Sequence, residues 1–242
     1  MIKNLPLYIS YFFILITIIT LLLFYIAVKK STSETTRKKA NIILIGLTCY
    51  LLIQLVLTIT NVYNSNTASM PPKILLFGVL PITFIIILLF FTQKGRQFID
   101  SLPLINITYL NIIRIPVELV LWWLFLIKAV PQLMTFEGRN FDILAGITAP
   151  FIAYFGLSKR KLTRQAILVW NFICLALLLN IVVNAILSAP SPFQKFAFDQ
   201  PNVAILYFPF SWLPTFIVPI VLLGHLVSIR QLLNLYTTIK MV

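Results

Sequence analysis

From residue 5 to residue 28 the chain reads LPLYISYFFILITIITLLLFYIAV, without one charged side chain. Runs of this kind recur along the chain, and the recurrence limits what it can become. A helix rises about 1.5 Å per residue, so about 20 apolar residues cross a hydrocarbon layer about 30 Å thick. Seven stretches meet or approach that requirement: residues 5–28, 41–62, 74–91, 105–130, 141–157, 165–187 and 203–229. The chain is 60% hydrophobic and 10% charged, whereas a soluble domain carries about 25% charged residues. A fold of this size cannot hide that much apolar surface from water, so lipid is the expected solvent. The expected fold is all-α, a polytopic membrane protein. Residues 1–242 form one seven-transmembrane-helix bundle, with no soluble domain, internal repeat or low-complexity segment.

The net charge of +13 first suggests nucleic acid, but its placement argues against that. Lys29, Lys30, Arg37, Lys38 and Lys39 fill the first connection, and Lys94 and Arg96 lie in the third. Lys159, Arg160, Lys161 and Arg164 fill the fifth, and Arg230 and Lys240 follow the last span. The N-terminus and the even connections hold Lys3, Lys73, Lys128, Arg139 and Lys195, five against thirteen. The positive-inside rule then puts the N-terminus outside and the C-terminus in the cytoplasm, in a bacterial cytoplasmic (inner) membrane. The expected partners are the lipid bilayer and its anionic headgroups on the cytoplasmic loops, a lipophilic ligand and a membrane partner protein, with no nucleic acid. The first apolar run is too long, and flanked on the wrong side by charge, for a cleaved signal peptide. Cys49 and Cys174 fall within spans and read as small packing residues.

Several chemistries lack their residues. His225 is the only histidine, so a multi-histidine haem or metal site is not expected. No phosphate-cradling glycine loop, Ser-His-Asp set or His-Glu-x-x-His helix occurs, and an enzyme is not expected. Rhodopsins and G-protein-coupled receptors share the seven-helix layout, but residues 203–229 hold no lysine for a retinal Schiff base. The third span ends FFTQKGRQF rather than on an acidic-Arg-Tyr run. The similarity is one of topology, and no cofactor is expected.

The fourth span carries the one charged pair deep in an apolar run, Arg114 and Glu118 in IIRIPVELVLWW. A central Arg or Glu costs roughly 2.5–3.5 kcal/mol on insertion, so both should face protein. Residues i and i+4 share a helix face, which makes an Arg114–Glu118 pair natural. Pro116 between them removes a helical hydrogen bond and predicts a kink with a free Ile112 carbonyl. The pair is either a structural neutralisation or a binding or ion-coupling site. In the sixth span Asn171, Asn180 and Asn184 read first as interhelical glue. The last span bends at Pro209, Pro214 and Pro219, carries Tyr207, Phe208, Phe210, Trp212 and Phe216 in its outer half, and holds His225 near its inner end. Gln54, Thr58, Thr60 and Asn61 line the second span. The fifth span is broken by Gly146, Pro150 and Gly156 and preceded by TFEGRNFD. There Glu137, Arg139 and Asp142 predict a surface salt-bridge cluster, with Asp142 capping the span.

The expected function is binding of a lipophilic or amphipathic small molecule in an intramembrane cavity between spans four, six and seven, in a receptor, sensor or lipid-handling role. The expected ligand-binding or ion-coupling residues are Arg114, Glu118, Asn180, Asn184, Trp212 and His225, with Arg114 meeting an anionic head. The alternatives are a proton- or ion-coupled small-solute transporter using Glu118, or a structural subunit of a membrane complex. The charge alternation predicts that cysteines at Lys38 and Lys161 are labelled by an impermeant maleimide only from the cytoplasmic face, and one at Lys195 only from outside. The reverse pattern would overturn the orientation.

Overall fold

The structure, a computed structural model, describes residue 2 and residues 5–240. Lys3, counted above among the outer charges, lies outside the described residues, as does the side chain of Lys240. The α-helices are α1 (Leu7–Lys29), α2 (Glu34–Lys38), α3 (Ala40–Ile59), α4 (Leu80–Phe91), α5 (Gln93–Asp100), α6 (Leu104–Tyr109), α7 (Arg114–Leu126), α8 (Asp142–Phe151), α9 (Arg164–Ser188) and α10 (Val218–Lys240). Wider π-type turns precede α4 (Leu75–Val79), follow α8 (Ile152–Ser158) and precede α10 (Leu213–Ile217). No strand occurs among the described residues.

Five helical stretches are long and apolar enough to cross a membrane: Leu7–Lys29, Ala40–Ile59, Leu104–Leu126, Arg164–Ser188 and Leu213–Asn234. A sixth arises if Leu75–Phe91 is taken with Gln93–Asp100, to which it is bent by 92°. Asp142–Ser158 is apolar but shorter. The helices are compatible with a multi-pass membrane protein. The bend at residue 92 was not expected. Thr92 is extended (φ −86°, ψ 147°) and its hydroxyl accepts from Gly95 N at 3.1 Å, so a new helix starts there.

The core is largely apolar, and, unlike those of a water-soluble bundle, the outward faces are apolar as well. On α3 the buried side chains include Gln54 and Thr58, while Ile42, Ile45, Leu52, Ile53, Val56 and Ile59 face outward. On α1, Ile9, Phe13, Ile16, Thr20, Phe24 and Ala27 recur at helical spacing on the inner face, and Leu7, Tyr11, Ile18 and Leu22 point out. Apolar surface of this extent is stable against lipid, not water. Helix α10 is the most enclosed, packed on α4, α5, α6 and α9, while α1 packs on α3, α6 and α7.

Polar contacts fasten each end of the bundle. At the basic-loop end Arg230 forks onto Asp100 with two bonds of 2.8 Å. There Ser31, Ser101 and Thr36 join through their hydroxyls. At the other end Gln200 donates to the carbonyls of Val130 and Phe125. Helix α7 stops at Leu126, short of the expected residue 130, because Lys128 turns left-handed (φ 58°) and Ala129 N closes on Leu124 O at 2.8 Å. The last span also departs from expectation. Residues 203–211 form a short 3₁₀ helix (Ala204–Leu206) and turns rather than α-helix, since Pro209 has no N–H to give, and Pro214 sits in the opening turn where none is needed.

Glycine permits a close approach of α8 to α7. A Cβ on Gly146 of α8 would lie 2.8 Å from Ile115 Cγ1, 3.1 Å from Ile115 N and 3.2 Å from Asn111 O. Gly146→Val should therefore push α8 off α7 and cost about 1–3 kcal/mol, read as a lower unfolding temperature in detergent. An unchanged transition would show that α8 has room to move.

Candidate functional site

The approach of α8 places Asp142, one turn before Gly146, against Arg114. A 3₁₀ turn, Leu110–Ile113, joins α6 to α7. The α-helix restarts at Arg114, so Pro116 falls in its first turn, where its missing N–H costs nothing. Both charges are buried. Arg114 Nη2 meets Asp142 Oδ1 at 3.0 Å and Nε meets Oδ2 at 3.2 Å, a bidentate bridge. Asp142 also stands in the first turn of α8, where the helix dipole favours an anion.

The rest of the guanidinium is equally occupied. Nη2 donates to the Cys174 carbonyl at 3.2 Å, and Nη1 faces Asn111 Oδ1 at 3.4 Å and His225 Nε2 at 3.2 Å. A guanidinium has five N–H donors and no acceptor, so every one has a partner. Because Arg114 can only donate, His225 Nε2 accepts. The imidazole proton then sits on Nδ1, which donates to Asn171 Oδ1 at 3.1 Å. His225 is thus held as the neutral tautomer by Arg114 and Asn171, with the Trp170 ring tilted beside it at 6.0 Å between centroids.

Glu118 is buried one turn along α7 but is not the partner of Arg114. Its Oε1 accepts from Asn140 Nδ2. Asn140 also donates to Met134 O at 3.1 Å and accepts from Asp142 N at 3.1 Å, tying Glu118 to the start of α8. Glu118 Oε2 is sheltered from water and has no hydrogen-bond partner among the described residues.

This cluster forms one part of the wall of a cavity of about 270 Å³. Arg114, Glu118, Asn140 and Asp142 supply polar lining, and the apolar walls come from α7, α9, the π-type turn before α10 and the start of α10, through Val117, Leu178, Ile181, Leu213, Ile217 and Val221. The loop residues Asn66 and Ser191, and Lys73 at the start of the helical stretch before α4, also border it. The π-type turns Leu75–Val79 and Leu213–Ile217 meet beside the cavity, where a Cβ on Gly78 would collide with Thr215 Cγ2. Gln54 and Tyr50 hold the first of them, bonding Phe77 O at 3.1 Å and Gly78 O at 2.6 Å. Burial pushes the Tyr63 hydroxyl well above the usual phenol range, so it stays protonated and donates to Gln54 Oε1.

The sequence-derived site residues are partly gathered here. Arg114, Glu118 and His225 lie in or beside the cluster, but the expected i,i+4 ion pair does not form, because Asp142 offers both oxygens to the guanidinium fork. Asp142, expected at the surface as a cap, is buried, and Phe141 rather than Asp142 occupies the cap position. Asn180 instead donates to Arg139 O at 2.8 Å and Asn184 donates to Asn180. Trp212 donates to Leu51 O at 3.1 Å and does not line the cavity. Sequence reasoning passed over Asn111 and Asn140, and placed Asp142 in the wrong environment. The signal was the close sequence of Asn140 and Asp142 just before a short apolar helix.

Removing one member of a buried pair leaves an uncompensated charge, worth about 3–5 kcal/mol. Arg114→Leu and Asp142→Leu should each sharply reduce folded yield in fluorescence-detected size exclusion, and the double substitution should recover most of it. A double variant no better than either single would show that the bridge is not what the cluster depends on.

No curated protein and no solved structure matches the chain. A family model, described as a domain of unknown function (DUF8737), matches residues 71–233. That match covers α4 to α9 and most of α10, and with them Arg114, Glu118, Asn140, Asp142, Asn171 and His225. The chain belongs to the DUF8737 family.

Proposed function

We propose that the protein is a seven-span membrane protein, N-terminus outside and C-terminus cytoplasmic, that holds a lipophilic or amphipathic small molecule in the cavity beside Arg114 and Glu118. On this reading Asp142–Ser158 is the short fifth span. Its length of about 25 Å by helical rise approaches the hydrocarbon thickness, and Leu75–Phe91 is the third. The setting is the cytoplasmic membrane. The role is that of a receptor, sensor or lipid-handling protein, with the basic cytoplasmic loops open to anionic headgroups or a partner.

The observation that supports it is the form of the cavity. Its volume of about 270 Å³ is close to the lower end of small-molecule sites, about 300–1,000 Å³. Its wall is apolar except for a few convergent polar groups, the usual make-up of such sites. A second reading, a proton-coupled small-solute transporter, draws on Glu118 Oε2, an ionisable oxygen within a span and without a hydrogen-bond partner among the described residues.

Ala185 of α9 lines the cavity, so Ala185→Phe should fill it. Native mass spectrometry with lipid extraction on wild type and Ala185→Phe, matched for folded yield, should find a defined small molecule on the wild type. The variant should retain about tenfold less. Bulk lipid alone, equal on both, would overturn the binding reading.

A further inference from the structure

The charges around the cavity bear on what it would hold, on the reading above that it is a binding site. Arg114 was the natural counter-ion for an anionic head, but its five donors are spent on Asp142, Cys174 O, Asn111 and His225. An anion could engage it only by breaking one of those bonds. Arg114 and Asp142 also cancel each other's charge, and His225 is neutral by its hydrogen bonds. What remains is Glu118. It is 2% exposed, forms part of the cavity wall, has one oxygen on Asn140 and the other on nothing among the described residues. A buried acceptor without a donor is costly, and a charge-assisted bond from a ligand N–H removes that cost.

We propose that the cavity takes a small lipophilic amine, bound as its ammonium cation, with Glu118 Oε2 as the acceptor for the head. The apolar walls from α9 and α10 take the hydrocarbon body. Because Oε2 is sheltered, the carboxyl swings toward the cavity as the head arrives, and Asn140 keeps its hold on the other oxygen. Lys73 is the other cation on the lining. It opens the helical stretch that leads into α4, in an exposed bond of 2.9 Å to Ser65 Oγ, where water screens it. It marks the approach to the cavity rather than its polar end.

The test uses three probes of one carbon skeleton: para-butylbenzylamine, para-butylbenzyl alcohol and para-butylbenzoic acid. Binding to the full chain in nanodiscs is measured with empty-nanodisc subtraction, on wild type, Glu118→Gln and Ala185→Phe. The amine should bind saturably to wild type at least about tenfold more tightly than the alcohol or the acid. Glu118→Gln, which keeps the shape and the Asn140 contact, should lose about tenfold for the amine and change the alcohol by less than about threefold. Wild-type selectivity alone decides the matter if the Gln variant folds poorly. Equal binding of all three, abolished by Ala185→Phe, would overturn the amine proposal while leaving the cavity reading intact. Preference for the acid would overturn it in favour of an anion held at Lys73. No saturable binding of any probe, with native mass spectrometry also finding no retained molecule, would overturn both.

Discussion

A guanidinium in the middle of an apolar span must be fully bonded by its own protein, and the centre of this molecule is arranged to do that for Arg114. Five donors in a rigid plane need acceptors from several directions. Asp142 supplies two from α8, Asn111 one from the preceding turn, Cys174 a carbonyl from α9 and His225 a ring nitrogen from α10. Four separate segments are thereby fixed relative to one another. Gly146 permits the approach that brings Asp142 in, and the 3₁₀ turn before Arg114 places Pro116 where its missing donor is harmless.

Around that centre the outward faces of the helices are apolar, and some polar side chains turn inward. The inner face of α3 carries Gln54 and Thr58, and its outer face carries the aliphatic side chains. In lipid there is no hydrophobic drive between helices, so association rests on close packing and polar contacts. The contacts found are of that kind: Thr58 with Ser211 at 2.9 Å, Tyr50 with Gly78 O, and the two glycine approaches. The hydrogen-bonded ends of the bundle add to this, and leave the cavity between α7, α9 and α10 as the loosely filled region.

Against this thorough pairing, Glu118 Oε2 stands out. The other buried side chain with atoms lacking a partner among the described residues is Asn202, whose amide lies away from the cavity wall. The distinction gives Glu118 and Arg114, one helical turn apart and both buried, opposite characters. One is a saturated structural cation, the other an acceptor with capacity to spare.

The sequence by itself determined that the chain is helical and suited to lipid, because the need for about 20 apolar residues per crossing is written linearly and requires no knowledge of packing. It also marked Arg114, Glu118 and His225, since ionisable groups in apolar runs are visible one residue at a time. It did not reveal the partner of Arg114. Local helix geometry offers only i+3 and i+4, which named Glu118, whereas the acceptor that won comes from a loop-to-helix junction 28 residues on. Nor could it show that residues 203–211 leave the α-helix or that Thr92 starts a new one at a right angle. Those outcomes were decided by the tertiary structure, where a bidentate fork, a missing Cβ at Gly146 and an asparagine at 140 meet only because three helices are already packed together.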